Sequence, residues 1–176
     1  MKTDQRKERT QQAILNAMVT CLRTQPFNAI TTTHLANEAG ISRSSFYTHY
    51  KDKYQLIESY QQSLFHKLEY IFDCYGHSRE QVFLEIFKLL YREELLSALL
   101  SHNGTQEIQQ FLIHKVRLLI STELSDFFQE PASSIEKNYR SIYFSQAFFG
   151  ILQAWIIKGK LESPEEMSHF FLKMLP

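Results

Sequence analysis

Glycine and proline are scarce in this chain, five and four residues in 176, which argues against a β fold with a turn every few residues. Cysteine is scarcer still. Cys21 and Cys74 build no disulfide framework and match no metal-ligand spacing, so free thiols in a reducing, cytoplasmic compartment are expected. No charge of one sign dominates, with 19 Lys and Arg against 19 Asp and Glu, so composition alone names no charged partner. No apolar run reaches the roughly 20 residues that span a bilayer. The most apolar stretch, IYFSQAFFGILQAWII from Ile142, contains Ser145, Gln146 and Gln153 and reads as a buried or interface helix with no membrane role. The N-terminal MKTDQRKERTQQ is charged with no apolar run behind it, which predicts no secretion signal.

Signatures of chemistry are missing as well. The seven histidines include no i, i+4 pair and no HExxH pattern, so no metal is expected. No nucleophile elbow or glycine-rich phosphate loop occurs, and the carboxylate pairs Glu93–Glu94 and Glu165–Glu166 read as solvated helix ends. The sequence therefore predicts neither an enzyme nor a cofactor.

What is present is helical periodicity. Ile14, Met18 and Leu22 mark a first amphipathic helix over about 4–24, which Pro26 ends. Thr31 is placed to cap a short second helix over 32–38, with Ile30 and Leu35 at staple spacing. Gly40 follows where the chain must turn, and Ser42 caps a third helix reaching about Tyr50. Asp52 caps a fourth over 53–75. Further segments are predicted over 78–101, 105–129 and 134–158, with a loop near Pro131, and Ser163 with Pro164 and Glu166 starts a last short helix. The expected fold is all-α.

The second and third helices carry the main functional signal. Phe46 and Tyr50 lie one turn apart and face inward, whereas Arg43, Ser44, Tyr47 and Thr48 face outward, with Ser45 and His49 at the edges. Helix, glycine turn and helix with a polar outer face is the pattern of a DNA-reading helix-turn-helix. Residues 1–60 hold eight Lys and Arg against five Asp and Glu, a basic head suited to nucleic acid.

The stretch AGISRSSFYTHYKDKYQLI from Ala39, with AILNAMVTCLRTQPFNAITTTHLANEAG upstream, resembles the DNA-binding end of TetR-type transcriptional regulators over residues 10–57. FFGILQAWIIKGKLESPEEM resembles the last two helices of such regulators more loosely. The resemblance implies a helix-turn-helix DNA-binding domain over 1–52 and a helical regulatory and dimerisation domain over 53–176. It implies a homodimer on double-stranded DNA, at a near-palindromic operator, released by a small-molecule effector that acts through the fourth helix. Carried over by position, Thr32, Thr33 and Lys53 meet phosphate, Arg43, Ser44, Ser45 and Tyr47 face bases or backbone, and His49 meets backbone. Arg43 is chemically the best base reader. His34 departs from the acidic residue frequent at its position.

In the helical body Phe83, Phe87 and Tyr91 form a stripe that His114 and Tyr143 could face, a candidate pocket for an apolar or aromatic ligand or else plain core. Ala147, Gly150 and Ala154 form a small-residue face beside Phe148, Ile151 and Trp155. With Met167, Phe170, Phe171 and Met174 of the last helix, that face suits a dimer contact or burial within one subunit. A repressor is the leading expectation. An activator or protein-partner-controlled regulator of the same fold, or an all-α small-molecule-binding protein without DNA function, are the alternatives.

Overall fold

Helices account for almost all of residues 2–122 and 133–174, the part of the chain described by this computed structural model. In chain order they are α1 (Lys2–Thr24), α2 (Thr32–Glu38), α3 (Arg43–Tyr47), α4 (Lys53–Tyr75), α5 (Arg79–Arg92), α6 (Glu94–Leu99), α7 (Gln106–Thr122), α8 (Ser134–Ile157) and α9 (Pro164–Leu172), with a 3-10 turn at Phe27–Ala29. No strand occurs among the described residues. The all-α expectation holds. The predicted loop at Pro131 and the predicted end of the seventh helix lie outside the described residues.

The starts of these helices follow from local chemistry. Thr31 accepts a hydrogen bond from the N–H of His34 at 3.2 Å and Ser42 from that of Ser45 at 3.1 Å. Asp52 Oδ1 accepts from the N–H groups of Tyr54 and Gln55 at 2.9 and 2.8 Å. Each bond satisfies an amide that the first helical turn leaves without a partner. Ser133 with Glu136 and Ser163 with Glu166 form reciprocal capping boxes. The hydrogen bonds from Ser133 and from Ser163 hold the two glutamates below the usual carboxylate range. Gly40 has φ +65°, a backbone that favours glycine, where α2 gives way to the turn before α3.

Two corrections concern α3 and the 78–101 segment. α3 stops at Tyr47, a turn earlier than expected. The predicted single helix is two, because Glu93 leaves helical geometry at φ −83°, ψ 86°. The reason is tertiary. α5 buries Phe83, Ile86, Phe87 and Leu90 in packing that includes α9, whereas α6 buries Leu95, Leu96 and Leu99 and packs on α1.

The chain accordingly forms two units: one of residues up to Leu64 with Glu93–Thr105, the other of Phe65–Arg92 with residues from Gln106 onward. That differs from the expected division at 52/53, since α6 and the start of α4 belong with the helix-turn-helix. In the first unit α1 packs on α2 and α6, and α2 on α3, around Ile14, Met18, Leu22, Leu35 and Phe46. Tyr60 of α4 donates to Glu93 at 3.0 Å, and burial followed by that carboxylate pushes its phenol well above the ordinary range. In the second unit α7 packs on α8 and α5 on α9.

The turn after α6 is tight. A Cβ on Gly104 would lie 1.7 Å from the carbonyl oxygen of Leu99, so the backbone must move to admit one. Gly104→Ala is expected to destabilise the first unit by about 1–3 kcal/mol, read as a lower thermal midpoint. An unchanged midpoint would mean that the turn opens without cost.

Candidate nucleic-acid interface and apolar cavity

α3 is five residues long, too short to persist alone. It is held because Phe46, fully buried, anchors it against the first unit's core and Ser42 caps it. That anchoring leaves Arg43, Ser44, Tyr47 and Thr48 exposed and Ser45 half-buried. On α2, Thr33 is exposed and Thr32 half-buried. The hydroxyl of Tyr47 accepts from Arg43 Nη2 at 3.1 Å and Nε at 3.4 Å, and lies 3.3 Å from Thr32 Oγ1. The bonds to Thr32 and then Arg43 hold its phenol below the usual range. Ser42 and Ser44 share a hydroxyl bond at 2.9 Å, and Thr48 donates to the Ser45 carbonyl at 2.7 Å. Eight of the nine residues assigned to DNA thus lie at least partly exposed, on α2, on α3 or just after it.

Lys53 and one ring nitrogen of His49 do not present themselves. Lys53 is 8% exposed, and its ammonium donates to the carbonyls of Phe27, Asn28 and Ile30 at 2.8, 3.0 and 2.7 Å. Phe27 and Tyr54 place their rings 4.7 and 5.4 Å from the same nitrogen. Burial holds its pKa below the ordinary lysine range. The expected phosphate contact is therefore corrected: this charge closes the 3-10 turn that leads into α2. His49 is half-buried, and its Nδ1 is enclosed with no hydrogen-bond partner. Burial, then the nearby Lys7 charge, lowers its pKa below the ordinary histidine range.

Two exposed residues were overlooked. Lys51 is exposed one position before Asp52, and the signal was the Lys-Asp-Lys run itself, whose first lysine faces out. Tyr54, in the first turn of α4, is 56% exposed.

The second unit contains an apolar cavity of about 40 Å³. Leu68, Phe72, Phe83, Ile86, Phe149 and Leu152 are among its lining residues, with no polar surface. Of the five residues assigned to a ligand, only Phe83 lines it. Phe87 is fully buried against Phe148 and Trp155, at ring separations of 5.7 and 5.6 Å. Tyr91 is exposed beside Trp155, His114 is exposed, and Tyr143 is 67% exposed. The period of α5 was read correctly, but the partners of its stripe are Phe148, Trp155 and Phe171.

Along α8, Tyr143, Gly150, Ala154 and Ile157 recur on one exposed face, with Ala147 and Ile151 half-buried. Phe170 and Met174 are exposed in and just beyond α9. Phe148 and Trp155, assigned to a dimer contact, are buried in their own subunit, as are Met167 and Phe171. The Trp155 indole N–H donates to the Glu162 carbonyl at 3.0 Å. No described helix is long and apolar enough to cross a membrane, and no His, Cys, Asp and Glu cluster among the described residues could hold a metal.

Residues 14–60 match the family model of bacterial regulatory proteins of the tetR family, and residues 77–176 match that of a transcriptional regulator C-terminal region. The uncharacterized HTH-type transcriptional regulator YxbF of Bacillus subtilis (strain 168) is 26% identical over 98% of this chain, which spans 46% of that relative's length. The fatty acid degradation regulator FadR of Bacillus halodurans has a similar fold, with a TM-score of 0.73 at 12% identity over 94% of this chain and 93% of that one. NalD of Pseudomonas aeruginosa, the secondary repressor of the MexAB-OprM multidrug efflux pump, gives 0.63 at 18% identity over 95% and 93%. With one of the two matches covering more than half of its length, the chain belongs to the TetR family of bacterial regulatory proteins.

Proposed function

We propose that this chain is an operator-binding regulator that acts as a cytoplasmic homodimer and represses transcription until an apolar small molecule occupies its cavity. The observation that carries the reading is the clamped α3, whose side chains other than Phe46 are polar and at least partly exposed. Thr32, Thr33 and Lys51 supply contacts to phosphate, and Arg43, with Ser44 and Tyr47 beside it, reads base edges. Repression is the activity named for NalD, which shares the fold. Selecting bound sequences from a random duplex pool tests the reading. Arg43→Ala is expected to cost about 1–3 kcal/mol per half-site and to relax preference at one base pair. A pool that yields no enriched sequence would overturn it.

The wholly apolar lining of the cavity supports a neutral ligand, since a buried charge would find no partner there. α4 is one continuous helix that contributes to both units, a covalent path from ligand to reading head. Ligand and operator should weaken each other's binding by the same factor, because coupling between two sites is reciprocal. Calorimetric titration of a screened apolar ligand, with and without operator, measures that factor. Equal affinities in the two titrations would exclude effector control by that ligand.

A further inference from the structure

The Tyr47 hydroxyl sits where two helices of the reading head meet. A phenol oxygen carries one hydrogen and two lone pairs. Arg43 Nε and Nη2 both donate to it, at 3.4 and 3.1 Å, and it shares a hydroxyl–hydroxyl hydrogen bond with Thr32 Oγ1, 3.3 Å away. The guanidinium, 5.5 Å from the phenol ring centroid, has its Nε–Nη2 edge engaged. Its Nη1–Nη2 end remains, and that end can form the two parallel bonds matching guanine O6 and N7.

From this we propose that Tyr47 is a positioning residue for specificity: its hydroxyl turns the end of the Arg43 guanidinium toward one guanine and ties that orientation to the Thr32 hydroxyl at the start of α2. The inference rests on the operator-reading function proposed above and adds to it how the base preference is set. An unrestrained arginine has several rotamers and can offer either edge. Held by Tyr47, it offers one. Because the same phenol bonds Thr32, a phosphate seated at α2 and a base read by α3 are engaged together.

The test uses the full chain and duplex oligonucleotides. A site is first selected with the wild-type protein. Affinities are then measured for wild type, Tyr47→Phe, Arg43→Ala and the double variant, on that site and on sites changed at each base pair. Tyr47→Phe keeps the ring against Phe46, from which it lies 5.8 Å edge-on, and removes only the hydroxyl. It is expected to lower discrimination at one base pair by about tenfold, the same pair whose discrimination Arg43→Ala abolishes. In the Arg43→Ala background the hydroxyl should change that discrimination by less than about twofold, because the two act as one unit. A uniform loss on every sequence, with base preference intact, would make Tyr47 a plain phosphate contact and overturn the proposal. So would effects of the two substitutions at different base pairs. Failure of the wild type to select any sequence would overturn the operator-reading function, and this inference with it.

Discussion

Replacing Lys53 with methionine is expected to destabilise the first unit by about 2–4 kcal/mol while leaving the salt dependence of any remaining DNA binding unchanged. The stem of the side chain fits a methionine, so packing is largely kept. What is lost is three charge-assisted bonds to the carbonyls of Phe27, Asn28 and Ile30. Hydrogen bonds to charged groups contribute about 1.5–3 kcal/mol each, and buried acceptors left unpaired cost about 1–3 kcal/mol. The bond to the Asn28 carbonyl is only partly buried, which keeps the total below the sum of the three. The Ile30 carbonyl immediately precedes Thr31, the cap of α2, so the loss is felt where the reading head begins. Lys51→Ala is the contrasting variant. Exposed and one residue from Asp52, it should leave stability nearly unchanged and flatten the salt dependence by about one charge unit per subunit. Urea unfolding and salt titrations of operator binding separate the two lysines. A Lys53→Met protein with wild-type stability and a shallower salt slope would return Lys53 to the phosphate.

Gly150→Glu is expected to abolish the proposed dimer and, with it, operator binding, without harming the subunit. A Cβ at Gly150 meets nothing within 4 Å, and glutamate is the better helix former by roughly 0.5–1 kcal/mol. The cost arises only when a second subunit covers the face. An unpaired carboxylate buried there is penalised by about 3–5 kcal/mol, enough to lower association by roughly two to four orders of magnitude. A dimer reads two half-sites about 34–36 Å apart, so loss of pairing removes the combined affinity of two heads. Sedimentation equilibrium should show a dimer for the wild type and a monomer of unchanged helicity for the variant. A wild-type monomer at micromolar concentration would sink the assignment of this face.

The sequence alone determined five of the helix starts. Thr31, Ser42, Asp52, Ser133 and Ser163 act on amides two or three residues away, so spacing suffices to read them. The outward set on α3 was legible for the same reason: with Phe46 directed inward, the 3.6-residue period leaves Arg43, Ser44 and Tyr47 little choice of side. Tertiary structure decided what depends on partners far along the chain. The break at Glu93 carries no glycine or proline, and it exists because α5 and α6 bury their apolar faces in different units. Lys53 looked like an exposed cation because the carbonyls that bind it lie 23 to 26 residues earlier. Tyr143 and Phe148 belong to the same apolar run, yet one faces out and the other fills the core. A run apolar on most sides has little periodicity to assign a face, so only packing on α7 and the rings of Phe83, Phe87 and Phe171 settled which side of α8 is buried.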